Sequence, residues 1–329
     1  MTQKELKFIE KCKEKVLKKE NINFQEALKL ICASRDSIPY LIAAANQIKL
    51  KFVKNKVILC GIVNAKSGKC SENCSFCAQS AHYKTKVQVY PIKTKEELIK
   101  AAKEAKSSGS NCFSIVTSGK GINTQDDIKN IYEAVNLINK NVKINKCSSL
   151  GILSFEQAKE LKRAGLNKYH HNLETAKSYF KKVCTTHTYE DRINTVKNAK
   201  EAGLKVCSGG IIGLGETAKQ RVELAFALKE LDVESVPINI LNPIAGTKAA
   251  QNKKRINPLE VLKTIAVYRF ILPNKIIGVF GGREKNLRDL QSMIFWAGAN
   301  SMLMGNYLTT SGRPAEEDLA MLSDLELVR

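Results

Sequence analysis

The chain has 329 residues, 43% hydrophobic and 6% aromatic, with 53 Lys and Arg against 32 Asp and Glu for a formal net charge of +21. That length can build one barrel-sized core or two ordinary ones. It contains no apolar run of about eighteen residues, so no transmembrane helix is expected. The N-terminal stretch MTQKELKFIEKCKEKVLKKE mixes charges without an apolar core, which argues against a secretory signal and for a cytoplasmic protein. Arginine supplies only ten of the 53 basic residues. The lysines are scattered along helix faces, as in KEELIKAAKEAK at 95–106, without interleaved aromatics or glycines. Such a pattern reads as a solvated surface, not as a nucleic-acid footprint, and neither nucleic acid nor membrane is expected as a partner.

Residues 1–50 read as helices, with apolar positions at helical spacing in FQEALKLICAS and IPYLIAAANQIKLKF. From residue 57 short apolar runs alternate with amphipathic stretches. The runs VILCGIV (57–63), NCFSIVT (111–117), VKINKCS (142–148), LNKYHHN (166–172), LKVCSGG (204–210), SVPINIL (235–241), KIIGVFG (275–281) and ANSMLMG (299–305) are expected strands. Helices are expected between them, over 95–109, 126–140, 155–165, 189–203, 221–232, 258–271 and 286–298. Thr94 and Ser154 suit N-caps, and several of the helices end in glycine. Eight strands alternating with helices imply parallel pairing through right-handed crossovers, and eight closes a (β/α)8 barrel; a doubly wound open sheet is the other arrangement this count allows. The α/β reading is therefore a TIM-type barrel over 51–322, with a helical extension over 1–50 and a short tail over 323–329. A barrel carries its function at the C-terminal strand ends, where Cys147, Asn172, Cys207, Asn239 and Arg283 fall.

Three of the ten cysteines crowd into eight residues, as Cys70-x3-Cys74-x2-Cys77 after the first strand. In a reducing compartment such crowding indicates metal or redox chemistry. Three thiolates on one loop hold three corners of a 4Fe–4S cubane and leave one iron open to a small molecule. Structural zinc needs four ligands, usually as two separated pairs. No second pair is present, and His82 lies only five residues past Cys77. Cys12, Cys32 and Cys60 read as buried packing residues, and Cys184 as structural. The glycine run GGIIGLGE (209–216) matches neither a dinucleotide fingerprint nor a P-loop and reads as a place of close backbone approach.

The cysteine spacing, with Phe76 before the last cysteine, resembles the radical S-adenosylmethionine superfamily. The stretches SGKCSENCSFCAQSAHYKT (67–85), YHHNLETA (169–176), CTTHTYEDR (184–192), KVCSGGIIGLGET (205–217), VPINILNPIAGT (236–247), GGRE (281–284) and AGANSMLMGNYLTT (297–310) resemble the biotin synthase family in order. The resemblance implies a TIM-like barrel and a 4Fe–4S cluster on Cys70, Cys74 and Cys77 that cleaves S-adenosylmethionine to a 5′-deoxyadenosyl radical. It implies that this radical removes hydrogen from dethiobiotin, whose carbon radical attacks a sulfide of an auxiliary 2Fe–2S cluster held by three cysteines and an arginine. Cys147, Cys207 and Arg283 carry over to that cluster, but the remaining cysteine position falls on Ser114. Cys112, on the same strand face, lies about 6.5 Å away along the strand. Phe76, Asn172 and Glu174 carry over to the cofactor, and Asn239 to the substrate's ureido ring, where an amide matches both donor and acceptor. Thr309 and Thr310 are candidates for the substrate carboxylate. His170 stands where the family often has Asn. The resemblance further implies an electron donor such as flavodoxin or ferredoxin and a homodimer. Two other functions are weighed: a biotin-synthase-like, maturase-like radical enzyme with another substrate, and a basic zinc-containing nucleic-acid-binding protein.

Overall fold

The computed structural model describes residues 2–122, 124–251 and 255–327. Residue 1 of the helical extension and residues 328 and 329 of the expected tail lie outside them. All eight expected strands form: β1 (Ile58–Lys66), β2 (Cys112–Thr117), β3 (Asn145–Ser149), β4 (Lys168–His170), β5 (Lys205–Cys207) with its continuation β6 (Gly210–Ile212), β7 (Ser235–Ile240), β8 (Ile276–Val279) and β9 (Ser301–Leu303). Every neighbour pairs in parallel, in the order β5-β4-β3-β2-β1-β9-β8-β7-β6, and a β5–β7 pairing closes the ring into a barrel.

Period-two alternation explains which side chains face where. Leu59, Phe113, Ile115, Val206 and Ile277 are almost fully buried and pack outward under the helix layer. Each such side chain contributes about 1.5–3 kcal/mol of apolar burial. The residues between them, among them Cys60, Cys112, Ser114, Cys147, Lys168 and Cys207, line the lumen. Bulky branched residues ordinarily fill a barrel interior. Here sulfur, hydroxyl and ammonium groups replace them, and the interior stays open.

The helices follow their caps. Thr94 and Ser154 open the helices Lys95–Ser107 and Phe155–Arg163 with reciprocal capping boxes. At the N-terminus α1 (Gln3–Leu17), α2 (Phe24–Ile31) and α3 (Ile38–Phe52) pack on the barrel's helix layer, α3 along the helix Pro258–Ile271. Cys12 is buried there as expected, whereas Cys32, at the end of α2, is exposed. The single helix expected over 286–298 is broken into Arg283–Leu287, a 3-10 turn Arg288–Leu290 and Met293–Trp296. Arg288 ends the first piece with φ +50°, a left-handed conformation incompatible with a continuing helix.

The split between β5 and β6 has a tertiary cause. The segment after β4 crosses at this point: Leu173 and Glu174 donate backbone bonds to the Gly209 carbonyl at 2.9 and 3.2 Å, and Ile211 donates to the Glu174 carbonyl at 2.8 Å. A methyl on Gly209 would stand 1.9 Å from the Pro237 carbonyl oxygen, and one on Gly210 2.5 Å from that of Glu174. The glycine run is therefore required by chain crossing, which sets the position of Asn172 and Glu174. Gly209→Ala is expected to destabilise the fold by about 1–3 kcal/mol or more, read as a lower thermal midpoint; an unchanged midpoint would contradict this account.

Candidate active site

A cavity of about 430 Å³ runs through the barrel. One end is walled by the loop after β1, which carries Cys70, Cys74, Phe76 and Cys77, and all four side chains line it. The loop is held by main-chain bonds. Ser67 pairs with Tyr90, the Cys70 amide donates to the Gln79 carbonyl at 3.0 Å, and the Ala81 amide donates to the Cys70 carbonyl at 2.8 Å. A tight turn brings the Cys77 amide to the Cys74 carbonyl at 3.0 Å. The neighbouring backbone amides of Glu72 and Gly119 act to lower the Cys70 thiol, and those of Gln79 and Ser80 the Cys77 thiol. Burial still raises both thiols, Cys77 to about 11, and charge on Cys70 adds to the rise at Cys77.

The CTTHT segment braces this loop. The Ser75 amide donates to the Val183 carbonyl at 2.8 Å, and Asn73 bonds the amide of Thr185 at 2.9 Å. Buried His187 stands between Glu72, whose Oε2 is 2.5 Å from Nδ1, and Arg192, whose Nε donates to Nε2 at 3.0 Å. Since Nε2 accepts, Nδ1 must carry the proton and donate to Glu72. His187, Cys184 and Cys74 bring their ligand atoms within 4.8 Å of one another, the one such trio among the described residues. Hydrogen bonding to Cys74, then to His187, holds the Cys184 thiol down at about 3, while the Cys74 thiol is pushed up. His82 takes no part: it is exposed, with its Nε2 2.9 Å from the Ser71 carbonyl.

Arg192 also fixes the far wall. Its Nη1 donates to the Asn172 carbonyl at 2.8 Å and lies 3.4 Å from Glu174 Oε1. Glu174 has φ +68°, an uncommon backbone conformation for a non-glycine residue, stabilised here by the β4 crossing. Burial raises its carboxyl, against the pull of Arg192. Asn172 Oδ1 accepts from the Gly209 amide at 3.1 Å, and Asn239 Oδ1 from the Gly281 amide at 2.9 Å. Each leaves its amide group in the cavity wall, where Thr309 and Thr310 also stand.

At the deep end Cys60 faces Cys112 across β1 and β2, Ser114 faces Cys147, and Cys147 faces Lys168. Lys168 donates to Ser235 Oγ at 2.7 Å. Burial acts to lower its ammonium, but Cys207, Cys112, Cys147 and Cys60 together outweigh burial and raise it. His170 Nδ1 is 3.3 Å from the Cys207 sulfur, and burial lowers its imidazole to about 4, so it is neutral at pH 7.

The loop cysteines, Phe76, Asn172, Glu174, Asn239, Ser114, Cys147 and Cys207 thus share one cavity. Arg283 does not join them, which corrects the sequence expectation. Expected as an inward strand residue, it lies beyond the end of β8, at the start of a helix, and is wholly buried. Its Nη2 donates to both carboxylate oxygens of Asp318, at 3.1 and 2.9 Å, and its Nη1 to Gln291 at 2.7 Å. Cys60, expected as packing, turns out to face the lumen. Glu72, His187, Arg192 and Lys168 were missed, because the contacts that gather them join residues up to 115 apart in sequence.

Two family models match the chain: the Radical SAM superfamily over residues 65–228 and the Biotin and Thiamin Synthesis associated domain over 237–328. The biotin synthase of Geotalea daltonii is 54% identical, covering 97% of both chains. That of Geobacter metallireducens is 53% identical over 95% of each. Methylornithine synthase has the same fold, with TM-score 0.84 at 18% identity over 96% of each chain. So does the FeFe-hydrogenase maturase of Carboxydothermus hydrogenoformans, with TM-score 0.80 at 19% identity over 97% of this chain and 78% of that one. A loop of three clustered thiols at the mouth of a parallel barrel, with 53–54% identity to the two biotin synthases over 95–97% of the chain, identifies the chain as a member of the biotin synthase family within the radical SAM superfamily.

Proposed function

We propose that the chain inserts sulfur into dethiobiotin to form biotin, consuming S-adenosylmethionine. The observation that carries this reading is one lumen walled at its mouth by three free thiols and, beyond them, by amide and carboxylate groups. Cys70 and Cys77 fit a cluster, because both are free thiols that line the same cavity from one short loop, the donor type that binds iron–sulfur centres. Cys74 is the third ligand of the set. When bound, a 4Fe–4S cluster supplies the single electron that splits the sulfonium.

The remaining roles belong to the chain. Phe76 on the loop and Asn172 and Glu174 across from it receive the cofactor, with Arg192 orienting the Glu174 carboxylate for ribose hydroxyls. Asn239 presents its amide to the ureido ring, and Thr309 and Thr310 hydrogen-bond the substrate carboxylate. The barrel walls keep water and other hydrogen donors from the reacting carbon. A 2Fe–2S site of three cysteines and an arginine does not fit these residues, since Arg283 is bound to Asp318 and Ser114 stands in for a cysteine. A flavodoxin or ferredoxin as electron donor, a homodimer and a cytoplasmic setting complete the reading; exposed Tyr40, Leu50 and Trp296, on and beside α3, suit a subunit contact.

The test is anaerobic incubation with a low-potential reductant, S-adenosylmethionine and dethiobiotin. Biotin and 5′-deoxyadenosine are expected together, and Asn239→Ala is expected to raise KM for dethiobiotin about 10–100-fold with less effect on cofactor cleavage. Deoxyadenosine without biotin, and no binding of dethiobiotin, would instead favour a maturase-like enzyme. Colourless protein with stoichiometric zinc would reject both.

A further inference from the structure

Cys184 is a free thiol that nothing in the proposed reaction uses. Its place in the chain sets it against the cysteine loop. The helix Lys177–Val183 stops one residue before it, and Cys184 itself is extended, with φ −148° and ψ 144°. On one side the Ser75 amide donates to the Val183 carbonyl at 2.8 Å. On the other, Asn73 Oδ1 accepts from the Thr185 amide at 2.9 Å, and Asn73 Nδ2 donates to Thr185 Oγ1 at 2.7 Å. Cys74 lies between Asn73 and Ser75, and Cys184 between Val183 and Thr185, so the two cysteines are held level from both sides. Opposed residues of an antiparallel pair have Cα atoms about 4.5–5.5 Å apart. A disulfide spans about 4.4–6.8 Å between Cα atoms. The sulfurs agree with the backbone: those of Cys74 and Cys184 lie within 4.8 Å of each other.

Packing alone does not account for a thiol at this position. The Cys184 sulfur is 3.4 Å from Asn73 Oδ1, 3.4 Å from Thr186 Oγ1 and 3.3 Å from His187 Nδ1. A residue kept for its apolar bulk gains nothing from polar atoms on three sides. A single metal ion shared with His187 fails on the histidine. Its Nδ1 is committed to Glu72 and its Nε2 to Arg192, so neither nitrogen has a lone pair left for an ion. The chemistry left to the site is that of two thiols, and they differ in access. Cys74 lines the cavity, whereas Cys184 is only 3% exposed.

We propose that Cys74 and Cys184 are an oxidative modification site: in the chain without iron, hydrogen peroxide entering the barrel joins them as a reversible disulfide, which guards the loop thiol against irreversible oxidation. The Cys74 sulfur attacks the peroxide. An S–O bond forms, the O–O bond breaks, and one water leaves with the proton of the Cys74 thiol. Cys184 then attacks the sulfenic sulfur of Cys74. The S–S bond forms, the S–O bond breaks, and a second water leaves with the Cys184 proton. Two thiols give up two electrons, and one hydrogen peroxide becomes two waters. A second thiol within reach stops Cys74 at the sulfenic stage, the last before irreversible sulfinic acid. The cross-link does not depend on which substrate the radical chemistry serves, so failure to form biotin would leave it standing.

The test uses the full chain, freed of iron by chelation under reducing conditions and moved into buffer without reductant. Hydrogen peroxide is added, and the remaining thiols are blocked with iodoacetamide. Tandem mass spectrometry of the unreduced digest is expected to place a bond between Cys74 and Cys184, and dithiothreitol is expected to abolish it. Cys74 joined mainly to Cys70 or Cys77, or oxidised to sulfinic acid while Cys184 is still blocked by iodoacetamide, overturns the assignment. Cys184→Ala gives the second arm. It removes the thiol that captures the sulfenic acid, so the same peroxide treatment is expected to convert several-fold more Cys74 to sulfinic acid than in the parent. Equal sulfinic acid in parent and variant overturns the guarding role. The bond mapped in the parent needs no variant, so it decides the site even where Cys184→Ala folds poorly.

Discussion

Cys77→Ala is expected to bring 5′-deoxyadenosine formation down to background, with or without dethiobiotin. The three loop cysteines act as a unit. Cys70, Cys74 and Cys77 are carried on one loop and line the same cavity wall. Removing one corner leaves two thiolates, too few to hold a cubane with one iron open. Effects within such a unit do not add, so Cys70→Ala and the double variant should match the single one. Glu72→Gln is the informative contrast. It leaves all three thiols and loosens the brace through His187 and Cys184, where a loss of about 10–100-fold in cluster affinity is expected, as for other residues that orient ligands. Deoxyadenosine at the parent rate from Cys77→Ala would remove the loop from the chemistry altogether.

The contrast between the loop and its brace also marks how far the sequence could be read. The strands were legible because each is a short apolar run between amphipathic helices, and the three-cysteine loop because its thiols lie within eight residues. The break between β5 and β6 was not, because its cause is the backbone of Glu174 passing over Gly209. Alternation placed Cys112 on the face of Ser114, but it could not say that Cys60 stands opposite, which depends on strand register. Arg283 was misread for a related reason. The motif GGRE follows a strand, and an arginine four residues past the strand's end at Val279 can point anywhere the next turn sends it. Gly282, with φ +78°, turns the chain into a helix and carries Arg283 away from the lumen.

That placement makes Arg283 the site of the largest expected change in stability. Its guanidinium and the Asp318 carboxylate are both almost wholly buried, and they join the helix after β8 to the C-terminal helix Ala315–Asp324. Burial raises the Asp318 carboxyl, and Arg283 is the main charge opposing that rise. Replacing Arg283 by Met keeps much of the volume but leaves Asp318 with Arg313, 3.4 Å away, as its remaining cation. Breaking a buried pair by removing one partner costs about 3–5 kcal/mol, because the other charge stays desolvated. Arg283→Met is therefore expected to lower the midpoint of denaturant unfolding by that amount. The double variant Arg283→Met/Asp318→Leu should recover a large part of the loss, since an apolar pair can replace a buried ion pair at little penalty. Folded Arg283→Met should also carry the parent's full iron content. An arginine serving as a cluster ligand would give the opposite pattern: iron lost from a chain of near-normal stability, with no rescue from Asp318→Leu.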